Sequence, residues 1–190
     1  MELFDAINQR QSCREFLDEP VERQMIEKII DAGIMAPSPL NTQPWEFTVI
    51  TNQQIKEELY NGAKACKAAA IEASGWKWLE TYSVQFLRIT PTIIVVTGDP
   101  RKSGVDIFSQ EGPVAFGHAC AAAIQNMLLA SHALGLGSVW FTLFDKKRVK
   151  TLLNIDENKV PLAFVCLGKP EQQSPKTPRK PGEKKTVFID

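Results

Sequence analysis

The sequence has no excess of either charge and no long apolar run, and these absences exclude several classes of protein. Its 190 residues include 22 Lys and Arg and 22 Asp and Glu, which give a formal net charge of +0. A balanced charge gives no general attraction to nucleic acid or to an anionic membrane. The longest apolar stretch, around IQNMLLA, is too short and too interrupted to span a bilayer. The acidic and polar start MELFDAINQR is unlike a signal peptide, so we expect a soluble, cytoplasmic protein.

Metal-binding patterns are also lacking. The four cysteines lie far apart, with no CxxC pair and no His/Cys spacing typical of a metal site: Cys13, Cys66, Cys120 and Cys166. We therefore expect reduced thiols and no metal. Cys13 lies between two arginines, which would lower the pKa of its thiol, but no histidine partner is evident and we do not expect a nucleophile. His118 and His132 fall on one predicted helix, where we expect hydrogen-bonded structural side chains.

Glycine-dependent motifs of common enzyme classes are missing as well. The segment GLGSVW contains only Gly135 and Gly137 and follows a helix, so it is not a dinucleotide-binding fingerprint. The chain has no Walker loop and no GxSxG elbow. The sequence therefore does not support a P-loop nucleotidase or an α/β-hydrolase.

What the sequence does contain is an alternation of helical and extended segments. Apolar periodicity predicts the helices ELFDAINQR, VERQMIEKIIDAGIMA, QQIKEELYNGA, PVAFGHACAAAIQNMLLASHALG and DKKRVKTLLN. Apolar and β-branched runs predict the strands WEFTVIT, TPTIIVVTGDP, SVWFTLF and PLAFVCLG. Residues 63–88 are expected to be helical, and residues 101–112 to form an irregular loop. The pattern predicts one α+β domain, residues 1–190, with helices on both faces of a sheet of four or five strands.

The segment RQSCR has the composition of a phosphate site. If the chain is extended here, Arg10, Ser12 and Arg14 share one face, because side chains alternate along a strand. Two guanidinium forks beside a hydroxyl suit a phosphate group. The alternative is a solvated basic turn after a helix.

The segment APSPLNTQPW combines stiffness with amide side chains. Pro37, Pro39 and Pro44 fix the backbone, while Asn41 and Gln43 each offer a donor and an acceptor. Such a loop could read the polar edge of a heterocycle. The alternative is a tight helix-to-strand connection whose amides cap backbone groups. Trp45, at the start of the next strand, is expected in the core.

The last part of the chain differs from the rest. EQQSPKTPRKPGEKK has three prolines and many charges, so it cannot pack as regular structure. Its cations Lys176, Arg179 and Lys180 would either complete a phosphate site or only solubilise the tail. The final segment TVFID looks like an isolated strand that needs a sheet edge elsewhere.

In this order along the chain, RQSCR, APSPLNTQPW, IQNMLLASHALGLGSVW, LGKP and PRKP resemble the nitroreductase family of FMN-dependent oxidoreductases. The resemblance covers nearly the whole chain and is weakest over residues 60–112. It implies an α+β sandwich with a central, mostly antiparallel or mixed sheet flanked by helices. It further implies a homodimer with two FMN molecules at the interface, in which the tail, residues 169–190, embraces the partner and the C-terminal strand is exchanged.

The resemblance also implies site residues. Arg10 and Ser12 would hold the FMN phosphate, and Arg14 would face the pyrimidine edge of the flavin. The backbone of Thr142 and Leu143 would approach flavin N5. The other cofactor-binding positions are a loop that lines the flavin from the partner and a tail residue that reaches the phosphate: Pro37, Ser38, Leu40, Asn41 and Arg179. Four aromatic residues are candidates for a lid: Trp76, Trp78, Tyr82 and Phe86. The chain lacks the Glu-Tyr-Lys lid triad of the deiodinase branch, which argues against iodotyrosine dehalogenation.

The implied reaction is a ping-pong transfer of hydride from NADH or NADPH, through flavin N5, to a small organic acceptor. Nitro compounds, quinones, enones and free flavin all fit. The flavin carries the chemistry, so no side chain is named as catalytic. Two other classes stay open at this point: a flavin-binding sensor or storage protein without turnover, and a cofactor-free α+β protein.

Overall fold

In the computed structural model, which describes residues 1–189, a four-stranded sheet lies between two layers of helices. The strands are β1 (Trp45–Ile50), β2 (Thr92–Gly98), β3 (Gly137–Phe141) and β4 (Val160–Gly168). Their order is β1-β2-β4-β3, and every neighbouring pair is antiparallel. The helices are α1 (Leu3–Gln9), α2 (Arg23–Ile34), α3 (Gln53–Ser74), α4 (Lys77–Thr81), α5 (Phe86–Ile89), α6 (Ala115–Ala133) and α7 (Lys146–Leu153). The prediction of an α+β sandwich is confirmed.

The sheet separates two apolar cores. Ile93 and Val95 of β2 belong to the core on the side of α3, α5 and α7, whereas Ile94 and Val96 belong to the core on the side of α2 and α6. All four are fully buried. A strand covered on both faces reads as a continuous apolar run, which is why β2 was evident from sequence. Trp45 is buried as expected.

Local signals mark the start of α3 and the end of α6. The Asn52 side chain accepts a hydrogen bond from the Ile55 N–H, 3.1 Å, and so caps α3. Gly135 follows α6 with a φ of 79°, and the Leu136 N–H donates to the Ser131 carbonyl, 2.9 Å. This is the left-handed ending that favours glycine.

Two stretches contain short helices or turns that the sequence pattern did not resolve. The predicted helical region 63–88 holds the end of α3 and the two short helices α4 and α5. Residues 101–112, predicted as an irregular loop, include a 3-10 turn at Gly104–Phe108, and another precedes it at Pro100–Lys102. Turns of this length leave no apolar periodicity to read.

The tail runs back along the sheet edge and then leaves the body of the protein. Its first residues pair with the N-terminal segment, where the Glu171 N–H donates to the Glu15 carbonyl, 3.1 Å. Residues 186–189 of the predicted strand TVFID form no strand within this chain, and Val187, Phe188 and Ile189 are exposed. Asp190 lies outside the described residues. Exchange of this strand with a partner therefore stays a prediction. Among residues 1–189, no helix is both long and apolar enough to cross a membrane.

Asp106 ties the 3-10 turn at Gly104–Phe108 to the start of α6. One carboxylate oxygen accepts from the N–H groups of Val114, 2.9 Å, and Ala115, 2.7 Å. The nearby Ser103 hydroxyl, together with these two N–H groups, holds the pKa of the carboxyl below its usual range. The charged form is therefore the one that the fold stabilises.

We predict that Asp106→Ala lowers the free energy of unfolding at neutral pH and that this difference disappears in acid. A carboxyl whose folded-state pKa is depressed stabilises the fold above its unfolded-state pKa of about 3.9 and loses that contribution as the pH falls through the folded-state value. Urea denaturation of both proteins across pH 2 to 8 measures the difference. Glu111→Ala, an exposed carboxylate in the same loop, is the control. A difference that stays constant with pH would contradict the prediction.

Candidate functional site

The segment Arg10–Arg14 is attached to the outer edge of β3. The Cys13 N–H donates to the Ser138 carbonyl, 2.9 Å, and Ser12 forms a parallel bridge with Ser138. In this extended backbone Cys13 points into the core, while Ser12 and Arg14 are exposed and Arg10 is half-buried. The structure thus brings Arg10, Ser12 and Arg14 to one cleft.

This cleft, called here the arginine cleft, has a volume of about 580 Å³. Residues of the tail form its other wall: Gln172, Gln173, Ser174, Pro175, Thr177 and Arg179. Arg179 comes close enough to Arg10 that burial and the positive charge of Arg179 lower the pKa of the Arg10 guanidinium. Lys176 lines a neighbouring depression instead.

The charges in the arginine cleft are unbalanced. Three guanidinium groups line it, and within residues 1–189 none of them forms a salt bridge. The single carboxylate there, Glu15, accepts a hydrogen bond from the Gln172 side chain. Partly buried cations without counter-charges cost free energy unless an anion completes the site. The cleft therefore has the electrostatics of an anion site.

Next to the arginine cleft lies a second one, called here the aromatic cleft, with a volume of about 640 Å³. Its aromatic walls come from α4 and its flanks and from β3: Trp76, Trp78, Tyr82, Trp140 and Phe141. Thr142 and Leu143 line it as well, and Arg14 lines both clefts. Among residues 1–189, Arg14 is the only charged residue that lines the aromatic cleft. Its shape and lining suit a flat apolar group bonded to an anion.

Leu143 brings a backbone donor to the aromatic cleft. It follows the end of β3, and within residues 1–189 its N–H donates to no acceptor. Unpaired backbone N–H groups are rare away from water, so this one is available to a ligand.

Of the four lid candidates, three lie where a lid would act. Trp76 and Trp78 are 58% and 57% exposed, and Tyr82 is half-buried beside them. The prediction for Phe86 is wrong. Its ring is buried and packs edge-on against Phe141, with 5.5 Å between ring centroids. The first turn of α5 points this ring into the core.

The structure corrects two expectations, that the thiol of Cys13 has a lowered pKa and that both histidines are hydrogen-bonded. Burial raises the pKa of the Cys13 thiol and outweighs the positive charge of Arg14, which lowers it, so the thiol is not activated. His118 is exposed. The Nε2 atom of His132 is buried but has no hydrogen-bond partner within residues 1–189, and His132 lines a depression that Arg10 also lines. No group of three potential metal ligands occurs in that range.

The proline-rich loop lies elsewhere and is strained. Leu40, Asn41 and Gln43 have φ values of 51°, 54° and 47°, in the left-handed region that costs a residue with a side chain about 1–2 kcal/mol. The Ser38 hydroxyl holds the turn by accepting from the Gln43 N–H, 3.1 Å. The strain leaves Leu40 79% exposed, where it gains nothing from the core. Strain of this kind is characteristic of ligand-contacting loops.

The loop and the arginine cleft are on opposite edges of the sheet. Pro37, Ser38, Leu40 and Asn41 precede β1 at one edge, and Arg10–Arg14 borders β3 at the other. Four strand spacings separate them, roughly 19 Å. The structure therefore brings together Arg10, Ser12, Arg14, Thr142, Leu143 and Arg179, but it does not bring the loop to them within one chain.

Several lining residues were not singled out from sequence. Trp140 was read only as part of a strand, and the amides Gln172 and Gln173 only as part of a tail. The alternation of β3 was the available signal for Trp140, because it lies opposite to the buried Val139 and Phe141. The tail amides carried no local signal.

Gly137 keeps the Arg10–Arg14 segment close to β3. A Cβ at Gly137 would lie 2.6 Å from Cys13 Sγ and 2.8 Å from Cys13 Cβ.

We predict that Gly137→Ala lowers the free energy of unfolding by roughly 1–3 kcal/mol through overpacking. Gly117→Ala, in α6 with no atom within 4 Å of the new Cβ, should leave stability unchanged or raise it. Denaturant unfolding compares the two, and equal effects would contradict the prediction.

Comparisons with known proteins agree with the fold. The model of the nitroreductase family matches residues 7–169. A protein of Archaeoglobus fulgidus named "Putative NADH dehydrogenase/NAD(P)H nitroreductase" is 31% identical over 179 residues, which cover 90% of this chain and 87% of the relative. A solved structure from Desulfovibrio desulfuricans, described as "a putative nitroreductase in complex with FMN", has 29% identity, a TM-score of 0.75, and coverage of 100% of this chain and 98% of that one. A BluB-like flavoprotein from Clostridium difficile shares the fold, with a TM-score of 0.83, 24% identity and 100% coverage of both chains.

The family match spans most of the chain and both edges of the sheet, including the segments RQSCR and APSPLNTQPW. The predicted family, and with it a flavoprotein oxidoreductase that uses FMN, is confirmed. The chain belongs to the nitroreductase family.

Proposed function

We propose that the protein takes a hydride from NADH or NADPH and passes it, by way of bound FMN, to a small organic acceptor in a ping-pong cycle. The observation that carries the proposal is the junction of two clefts at Arg14. A cleft with three guanidinium groups and one carboxylate, in which the guanidinium groups form no salt bridge within residues 1–189, lies there beside an aromatic groove. FMN has the matching parts, a phosphate and a flat ring joined by a short chain.

The arginine cleft fits the phosphate. Arg10 and Arg179 provide planar donor forks, and the Ser12 hydroxyl provides a neutral donor between them. Burial and, after it, the positive charge of Arg179 lower the pKa of Arg10, and a phosphate there would offset both effects. Lys176 and Lys180 do not line this cleft, so we assign them no contact with the phosphate.

The aromatic cleft fits the ring. Its walls are apolar, and the unpaired N–H of Leu143, next to Thr142, offers a hydrogen bond to a ring nitrogen. Arg14 places a full positive charge where the two clefts meet, beside a ring that gains negative charge on reduction. When bound, FMN supplies the hydride chemistry at its ring N5, so the chain needs no acid or base of its own and we assign no catalytic residue.

The aromatic cleft also bears on the acceptor. Within the part of the chain that the structure describes, it has no carboxylate and a single cation, Arg14, so it favours flat acceptors that are neutral or anionic. Nitroaromatic compounds, quinones, enones and free flavin meet this condition. A cationic acceptor would be repelled by Arg14.

We propose that a second copy of the chain completes each site. The strained loop carries an exposed Leu40 about a sheet's width from the arginine cleft of its own chain, so it can reach a ring only in another copy. The apolar face of α1, with Leu3, Phe4 and Ile7, is also exposed and suits burial in a homodimer. The tail, with Val187 and Phe188 uncovered, suits the same partner.

The phosphate assignment predicts a ligand-dependent effect of Arg10→Ala. Losing a charged hydrogen bond of about 1.5–3 kcal/mol should raise the Kd for FMN roughly 10- to 100-fold. The Kd for riboflavin, which lacks the phosphate, should stay unchanged. Quenching of flavin fluorescence measures both.

Lys176→Ala is the matched control, since it removes a tail cation outside the arginine cleft. Arg179→Ala should behave like Arg10→Ala, and Lys176→Ala like the wild type. Equal losses for FMN and riboflavin in Arg10→Ala would place the phosphate elsewhere and contradict the assignment.

The shared site predicts complementation between two defective chains. Arg10→Ala damages one side of the site and Asn41→Ala the other. In a mixed dimer one site then carries both defects and the other carries neither. After unfolding and refolding an equal mixture, about a quarter of the sites should bind FMN with wild-type affinity. Each variant refolded alone is the control, and no recovery in the mixture would contradict a site shared between copies.

A further inference from the structure

Arg14 lies where clefts meet, and few contacts hold its side chain in place. It lines the arginine cleft, the aromatic cleft and a third cleft beside α5. Within residues 1–189 its side chain forms no salt bridge and no hydrogen bond. An exposed arginine with no partner samples many rotamers, and fixing it in one costs conformational entropy. Something else must hold this cation if it is to act at one place.

For the described residues 1–189, the one directional contact of Arg14 is with the ring of Tyr82. The guanidinium carbon lies over that ring, 5.7 Å from its centroid. A cation–π contact attracts the charge to the ring face and uses none of the five N–H donors. The contact therefore places the guanidinium and leaves all its donors free for a ligand.

Tyr82 is itself held in a row of aromatic rings. It follows α4, where its N–H donates to the Leu79 carbonyl, 3.2 Å, and its ring meets Trp78 edge-on with 6.0 Å between centroids. Trp78 in turn lies 6.0 Å from Trp76. The buried Leu79 fixes α4 to the core. The row connects the exposed surface of α4 to the cation at the cleft junction.

We propose that Tyr82 is a positioning residue: its ring holds Arg14 at the junction of the two clefts, so that the charge meets the cofactor. The consequence for FMN rests on the proposed function, whereas the placement of Arg14 by Tyr82 does not. The hydroxyl of Tyr82 takes no part in this role. Tyr82→Phe therefore keeps the effect and Tyr82→Leu removes it.

The first experiment uses the cofactor-free protein and reads Arg14 directly. In a ¹⁵N-labelled sample, the Nε–Hε signal of Arg14 is identified by its absence in Arg14→Lys. We expect the ring current of Tyr82 to shift this signal, Tyr82→Phe to keep the shift and Tyr82→Leu to abolish it. If Tyr82→Leu does not fold, Trp78→Leu replaces it, because loss of the supporting ring should reduce the shift. A signal unchanged in the leucine variant would overturn the proposal.

The second experiment measures the Kd for FMN and the midpoint potential of bound FMN. Tyr82→Leu should raise the Kd about fivefold, the size of one cation–π contact, and lower the potential, because a released charge favours the reduced ring less. Tyr82→Phe should match the wild type in both. In an Arg14→Ala background, Tyr82→Leu should add little to either change, because the residue through which it acts is gone.

A second cation–π pair in the chain gives the control. Arg88 lies over the ring of Tyr60, 5.1 Å from its centroid, outside both clefts, and Arg88 is also paired with Glu57. Tyr60→Leu should leave the Arg14 signal and the midpoint potential unchanged. An effect of Tyr82→Leu that persists in full without Arg14 would overturn the proposal. If the wild type binds no FMN, the proposed function fails, and the Arg14 signal still decides the role of Tyr82.

Discussion

The site depends first on one backbone hydrogen bond, from the Cys13 N–H to the Ser138 carbonyl at the outer edge of β3. It makes the segment Arg10–Arg14 an added piece of strand, and strand geometry then alternates its side chains. Cys13 goes to the core, where burial raises the pKa of its thiol and keeps it inert. The cations go to the cleft. Gly137 allows the close approach that this bond requires, because a larger residue would collide with Cys13.

In the homodimer that we propose, the sheet is a rigid spacer between the two parts of each site. One edge carries the cations and the aromatic cleft, and the other carries a loop with a strained backbone that exposes Leu40. A packed sheet does not fold over to join its own edges, so in the proposed homodimer the two parts meet between copies. This division also accounts for exposed apolar groups such as Phe4 and Leu40, which a monomer has no reason to keep. In this account folding, assembly and cofactor binding depend on the same surfaces.

Local chemistry made much of the fold predictable. The buried strand β2 depends on a few adjacent residues and was predicted. The cap at Asn52 and the ending of α6 at Gly135 depend on equally local signals. The predictions for Phe86 and His132 were wrong because distant parts of the chain set their surroundings. The ring of Phe86 packs against Phe141, and His132 lines the same depression as Arg10. The alternation of side chains in RQSCR was also predicted, because it depends only on adjacent residues. The ring of Tyr82 over Arg14 joins residues 68 positions apart, which no local pattern reveals.

Whether the protein turns over or only binds flavin is decided by reduction of the bound cofactor. The direct measurement is the visible absorption spectrum of the FMN-loaded protein under anaerobic conditions, before and after addition of NADPH and, separately, NADH. Our account predicts that the flavin bands bleach with at least one nucleotide and return when a quinone is added. Bands that persist with both nucleotides would contradict an oxidoreductase and leave a flavin-binding sensor or storage protein.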